Sequence, residues 1–353
     1  MSDPAIGSKK SLGRCFCRAS TGVLPPYILI GITMTVDNLL TIYVPLLGWT
    51  LVGWVGGRLL PATVSTALGK FLFWVGVPIS IVAFLRHAEL AASLWLAPVV
   101  AWVAMLLGVG VSWWLSGRSP LRTVCLPLPL TQQTRGSFLL AAMLGNTGYI
   151  GYPIALAFVG SRDFAWSLFY DLLGSTPGAY GLGVAIAAHF SREKADGEAL
   201  SKQWQAAHTM VKNPALWSFG LGLSYRNVPM PPLLENSLRG VAWLVVALSL
   251  VLIGMRLSQL SSFKHVKPAL LSVGIKMLLV PLLVGMGLWM LGVTGLVYRA
   301  MVLQMAMPPA FATLVLAEAY DLDQELTVTA LIIGCLVLVL LLPFWLWLCA
   351  GNA

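Results

Sequence analysis

Ten apolar runs, most as long as the roughly 20 helical residues needed to cross a 30 Å hydrocarbon core, constrain this chain more than any other feature. They fall near 37–58, 64–85, 93–116, 137–160, 164–189, 212–225, 233–256, 268–291, 297–319 and 326–349. An open strand in lipid leaves backbone polar groups unpaired, so runs of this kind predict helices. Composition agrees: 58% of residues are apolar and 10% charged, against about 45–50% and about 25% in soluble domains. The expected fold is an all-α integral membrane protein of about ten transmembrane helices. The sixth run is short and crosses only with lipid thinning or with help from its flanks.

The strongly polar stretch 191–212 divides the runs into five and five. An odd number per half gives the second half the opposite orientation, as two inverted five-helix repeats require. The expected organisation is an N-terminal extension over 1–36, a first repeat over 37–190, a linker over 191–211 and a second repeat over 212–353. Each half carries an interior proline in its fourth run, Pro153 in one and Pro308-Pro309 in the other.

Basic residues in short loops orient a polytopic chain. With the central loop cytoplasmic, the inner loops hold eleven Lys and Arg, Arg256 among them, and the outer loops hold five: Arg86, Arg162, Arg226, Arg239 and Arg299. The expected location is the cell membrane, multi-pass. Residues 1–36 spoil the pattern with Lys9, Lys10, Arg14 and Arg18 ahead of the apolar run 23–34. That segment resembles a signal peptide but has Pro25-Pro26 and no small-residue cleavage pattern. An eleventh short helix and an interfacial segment are the alternatives.

Inside a span, helix breakers and polar groups are the informative residues. Gly145, Gly148, Gly151 and Pro153 crowd the middle of the fourth run beside Asn146 and Thr147. Proline lacks an N–H, disfavours helix in the residue before it and suits the first turn of a new helix. This run is therefore expected to break, and the ninth to break at Gln304 to Pro309. Unwound backbone at membrane depth survives only when buried in protein or lining a wet cavity. The N–H groups of the second half-helix, with the positive end of its dipole, then face that cavity and attract an anion. The dipole contributes about 0.3–1 kcal/mol when exposed and about 2 when partly buried, so side-chain donors must help. The expected substrate contacts are Asn146, Thr147, Gly148, Gly151, Pro153, Gln304, Pro308 and Pro309. Close helix packing through small residues is the plainer reading of the glycines.

Charges buried in spans are costly and by default functional. Asp171, a third of the way into the fifth run, is a coupling candidate for a proton or Na+, or a structural hydrogen-bond acceptor. Lys276 is a second candidate, paired with Asp171, attracting an anion, or snorkelling to the interface. Cys15, Cys17, Cys125, Cys335 and Cys349 form no disulfide framework, and the four histidines show no metal-ligand spacing. No metal or other cofactor is expected. No phosphate-cradling G-x-x-x-x-G-K-[ST] loop is present, so transport must draw on a gradient. The net charge of +9 is explained by loop residues, and no nucleic-acid partner is expected.

Four places carry a resemblance to the auxin efflux carrier family, which includes bacterial permeases for malonate-like acids and the PIN-type auxin exporters. They are Leu68 to Pro78; Asn146, Gly148, Gly151 and Pro153; Lys212-Asn213-Pro214 with Gly220, Gly222 and Pro229 to Pro232; and Ala306 to Pro309 with Glu318, Tyr320 and Pro343. The resemblance covers residue 37 to the end. It implies broken fourth and ninth helices that cross and hold a carboxylate-bearing solute, with one part as scaffold and one as transporter. The seventh run lacks the proline that many relatives place there. The short central loop also departs from the long loop of many plant exporters.

The function expected is a secondary transporter of small organic anions, carboxylates foremost, acting by alternating access and not an enzyme. A membrane receptor or scaffold that binds an organic anion without moving it is the alternative. The oligomeric state stays open, with a homodimer among the options.

Overall fold

The computed structural model describes residues 36–117, 130–191, 208, 211–260 and 265–350. The readings made for the N-terminal extension and for the polar body of the central linker fall outside these residues. Among those described, each of the ten apolar runs is helical. The helices are α1 (Val36–Leu59), α2 (Ala62–Leu85), α3 (Ala92–Ser116), α4 (Gln132–Met143), α5 (Gly151–Phe158), α6 (165–190), α7 (Pro214–Ser224), α8 (Pro232–Gln259), α9 (Val266–Met290), α10 (Gly295–Met305), α11 (Phe311–Ala319) and α12 (Gln324–Ala350). By length and composition α2, α3, α8, α9 and α12 suffice to cross a membrane. The outer surface is apolar as lipid demands, with Trp74, Leu106, Leu340 and Trp347 exposed.

Among the described residues three helices widen into π turns, at Leu72–Gly76 in α2, at Tyr170–Ser175 and Ala179–Gly183 in α6 and at Ile275–Leu279 in α9. Pro78, Pro177 and Pro281 each stand two residues after one of these turns, and the turn at Ala179–Gly183 has no proline after it. A proline returns no N–H to the carbonyl one turn back and its ring crowds that carbonyl, so the helix accommodates it by loosening. In α9 the carbonyl left over belongs to Met277, and the indole of Trp345 in α12 donates to it at 3.1 Å. Asp171 and Lys276 both sit on such turns.

The helices pack as two groups. In one, α1 runs along α8, and α2 packs on α7 and α8. The α1–α8 backbones touch, since a Cβ on Gly254 would overlap the Thr50 carbonyl. In the other group α3 packs on α4 and α6, and α9 on α12 and α4. Tyr43 ties α1 to α12 by donating to the Val339 carbonyl at 3.1 Å.

Helix ends are closed locally. Thr131 accepts from the Thr134 amide at 3.1 Å to start α4, and Asn213 accepts from the Ala215 amide at 3.0 Å to start α7 with Pro214 in its first turn. Asp323 accepts from the Leu326 amide at 2.9 Å to start α12 and from the Thr134 hydroxyl at 2.7 Å.

Several residues counted as loop lie within helices, among them Arg135 in α4, Arg239 in α8 and Lys267 in α9. Arg299 is buried within α10 instead of lying in an outer loop. Arg256 lies in the last turn of α8, because that helix continues to Gln259, three residues beyond its expected end. Hydropathy ends a helix at the first charge, whereas the backbone hydrogen bonds do not.

Candidate functional site

Both expected breaks are present. The fourth run is α-helical to Met143, unwinds through 144–150 and resumes as α5 at Gly151. The ninth is helical to Met305, unwinds through 306–310 and resumes as α11 at Phe311. The unwound pieces meet as an antiparallel bridge between Gly145 and Pro309. The Asn146 amide donates to the Pro308 carbonyl at 2.7 Å, and the Ala310 amide donates to the Leu144 carbonyl at 3.0 Å. Each break therefore supplies the partners that the other lost, which matters where an unpaired backbone group costs several kcal/mol.

This self-pairing corrects the expectation that the amides of the fourth-run break stand free. Tyr149 donates to the Asn146 side-chain oxygen at 3.2 Å, Gly151 to the Asn146 carbonyl at 3.0 Å and Tyr152 to the Gly148 carbonyl at 3.2 Å. A side-chain donor is left over, the Asn146 nitrogen Nδ2, which is buried and has no partner among the described residues. Leaving such a group unmade costs about 1–3 kcal/mol, which a bound acceptor offsets. Asn146 is 5% exposed.

A central cavity of about 370 Å³ lies against the crossing. Asn146, Thr147 and Gly148 line it, together with Ala310, Phe311 and Ala312 at the start of α11. Ala310 precedes α11 without a side-chain cap. The first amides of a helix have no intrahelical acceptor, so this end presents positive partial charge to the cavity. Gly151, Pro153, Gln304, Pro308 and Pro309 lie behind the wall. A Cβ on Gly151 would overlap the side-chain amide of Gln304, itself 1% exposed, whose nitrogen and oxygen have no partner among the described residues. Gly334 of α12 backs Pro308 and Pro309.

Asp171 also lines the cavity. It accepts from the Thr147 hydroxyl at 2.5 Å and from the Tyr152 hydroxyl at 2.7 Å, so one carboxylate ties the unwound segment to the start of α5. Lys276 reaches the opposite side. Its ammonium donates to the Met305 carbonyl at 2.7 Å, at the end of α10, and its stem passes Gly145, where a Cβ would stand 2.9 Å from Lys276 Cε. The negative ends of the two first half-helices thus share a cation, and no ion pair joins Lys276 to Asp171.

The reading of the sequence missed several lining residues. Tyr149, Tyr152 and Tyr180 place hydroxyls around the cavity, and Arg256 supplies its positive charge. A tyrosine directly after Gly148 and another directly after Gly151 were visible, but their directions were not. The arginine was counted as a loop residue because it ends an apolar run.

The sequence profile of a family described as membrane transport protein matches residues 31–346. An uncharacterized transporter of Methanothermobacter thermautotrophicus is 28% identical over 321 residues, covering 90% of this chain and 98% of its own. An uncharacterized transporter of Methanocaldococcus jannaschii is 26% identical over 253 residues, covering 71% of this chain and 78% of its own. With broken runs that carry the signature residues and a family match over nearly its whole length, this chain belongs to the membrane transport proteins of the auxin efflux carrier family.

Proposed function

We propose that this protein is a secondary transporter of small organic anions, carboxylates foremost, working by alternating access. The observation that carries the reading is the unpartnered Asn146 Nδ2 beside a cavity that also receives the start of α11. A carboxylate oxygen satisfies that donor, and its charge is favoured by the helix end. Asn146, Thr147 and Gly148 are the proposed contacts, with Gly151, Pro153, Gln304, Pro308 and Pro309 shaping the crossing that holds them.

The ten runs are read as two interlocked inverted repeats. In support, the α1, α2, α7 and α8 group takes two helices from each half of the chain. A static group of this kind against a moving crossing is what alternating access needs. Asp171 is the proposed coupling group. Protonation or a bound Na+ would loosen its hold on Thr147 and Tyr152 and so free the break to rearrange. Lys276 serves as the fixed counter-charge of the crossing. The membrane is proposed to be the cell membrane, with the central linker on the cytoplasmic side.

The test is counterflow of labelled mono- and dicarboxylates in proteoliposomes, with and without imposed proton and Na+ gradients. Saturable counterflow of at least one acid supports the reading. Binding in detergent, seen as a ligand-induced rise in thermal stability, with no counterflow of any acid favours a receptor and overturns it.

A further inference from the structure

A second hollow of about 660 Å³ lies beside the central cavity, lined by Ser65, Thr66, Lys70, Gln259 and Glu318 at one end of α2, α8 and α11. Phe73, Tyr149, Arg256, Phe311 and Val315 line both. These residues form the passage between vestibule and cavity, and Arg256 alone among them is charged.

The surroundings of Arg256 hold it there without neutralising it. Its guanidinium carbon lies 5.1 Å from the centre of the Phe311 ring. Gly69 makes room for it, since a Cβ there would stand 2.8 Å from one terminal nitrogen. Among the described residues no carboxylate pairs with Arg256. Glu318 and Lys70 share the vestibule, both exposed, and the Gln259 side-chain oxygen one turn away is taken by the Ser65 hydroxyl at 3.0 Å. An arginine stacked on an aromatic face keeps its planar N–H edge available for a carboxylate. An unpaired cation in a low-dielectric passage concentrates anions and repels cations, and the carboxylate lining the cavity beyond it, Asp171, is occupied by the Thr147 and Tyr152 hydroxyls.

We propose that Arg256 is a charge filter at this passage, admitting anions to the crossing and excluding cations. The inference deepens the anion-transport reading and rests on it for its physiological use. The anion leaves the guanidinium edge for the adjoining start of α11, which the same Phe311 opens, so filter and site are contiguous.

The test needs no knowledge of the solute. Ala179→Cys on the cavity wall and Thr66→Cys in the vestibule are introduced separately, and labelling rates are measured in proteoliposomes over the blank of the unsubstituted chain. The probes are 2-sulfonatoethyl methanethiosulfonate, an anion, and 2-(trimethylammonium)ethyl methanethiosulfonate, a cation. At Ala179→Cys the anion-to-cation rate ratio is expected to fall about ten-fold or more with Arg256→Gln, by the local ion concentration that one charge sustains. Arg256→Lys is expected to preserve it, and Thr66→Cys to show little change in either background. An unchanged ratio at Ala179→Cys in Arg256→Gln overturns the proposal. So does a cysteine at position 179 that neither reagent reaches while position 66 reacts. A filter that passes this test in a protein showing no carboxylate counterflow would refute the transport reading alone.

Discussion

The amide of Asn146 donates to the carbonyl of Pro308 at 2.7 Å, joining two breaks that lie 162 positions apart in the chain. Proline at 308 removes a donor from its own helix, and its carbonyl becomes the acceptor for the other. The two interruptions are thus one structure, and loss of either strands polar backbone of both in the membrane interior.

Asp171 holds that structure closed through Thr147 and Tyr152. Asp171→Ala leaves two hydroxyls without their acceptor, and hydrogen bonds to a charged group contribute about 1.5–3 kcal/mol each. Uptake is expected to fall at least ten-fold and the heat-unfolding midpoint in detergent to drop. Asp171→Asn keeps one acceptor oxygen and is expected to lie between. Wild-type uptake and midpoint in Asp171→Ala would remove the carboxylate from the mechanism.

Lys276 is read as an anchor for the ends of two half-helices. Lys276→Met keeps the stem but leaves the Met305 carbonyl unpaired, at a cost of about 1–3 kcal/mol. The expected result is a lower midpoint on heating in detergent. A midpoint equal to that of the wild type contradicts the anchor.

Gly151 touches the Gln304 amide so closely that a Cβ there forces that buried side chain to shift, whereas Gly181 has open space around its Cβ position. Gly151→Ala is expected to cost about 1–3 kcal/mol by overpacking and to reduce uptake. Gly181→Ala is expected to change neither. Equal effects from the two substitutions would show that the α5–α10 contact does not matter.

The helices and the positions of both breaks were legible in the sequence, because hydropathy, glycine and proline act within a turn or two of where they stand. Gly145, Gly148 and Pro153 announced an interruption without any knowledge of its surroundings. The pairing of Gly145 with Pro309 was not legible, since a bridge between distant segments leaves no local trace. The partner of Lys276 and the placement of Arg256 were not legible for a related reason. A lysine deep in an apolar run gives no sign that its partner is a carbonyl at the end of α10. An arginine at the edge of a run reads as loop, although α8 carries it one turn further and aims it into the passage. Pro78, Pro177 and Pro281 account for three of the described π turns, while the one at Ala179–Gly183 has no proline after it.

The most direct measurement is carboxylate uptake into proteoliposomes by the double variant Asn146→Ala, Pro153→Ala, with its folding verified by size-exclusion profile. The first substitution deletes the unpartnered donor and the second the proline in the first turn of α5. The account predicts uptake at least ten-fold below wild type. Uptake at the wild-type level by that folded variant would mean that the crossing of the two broken helices is not where the anion binds.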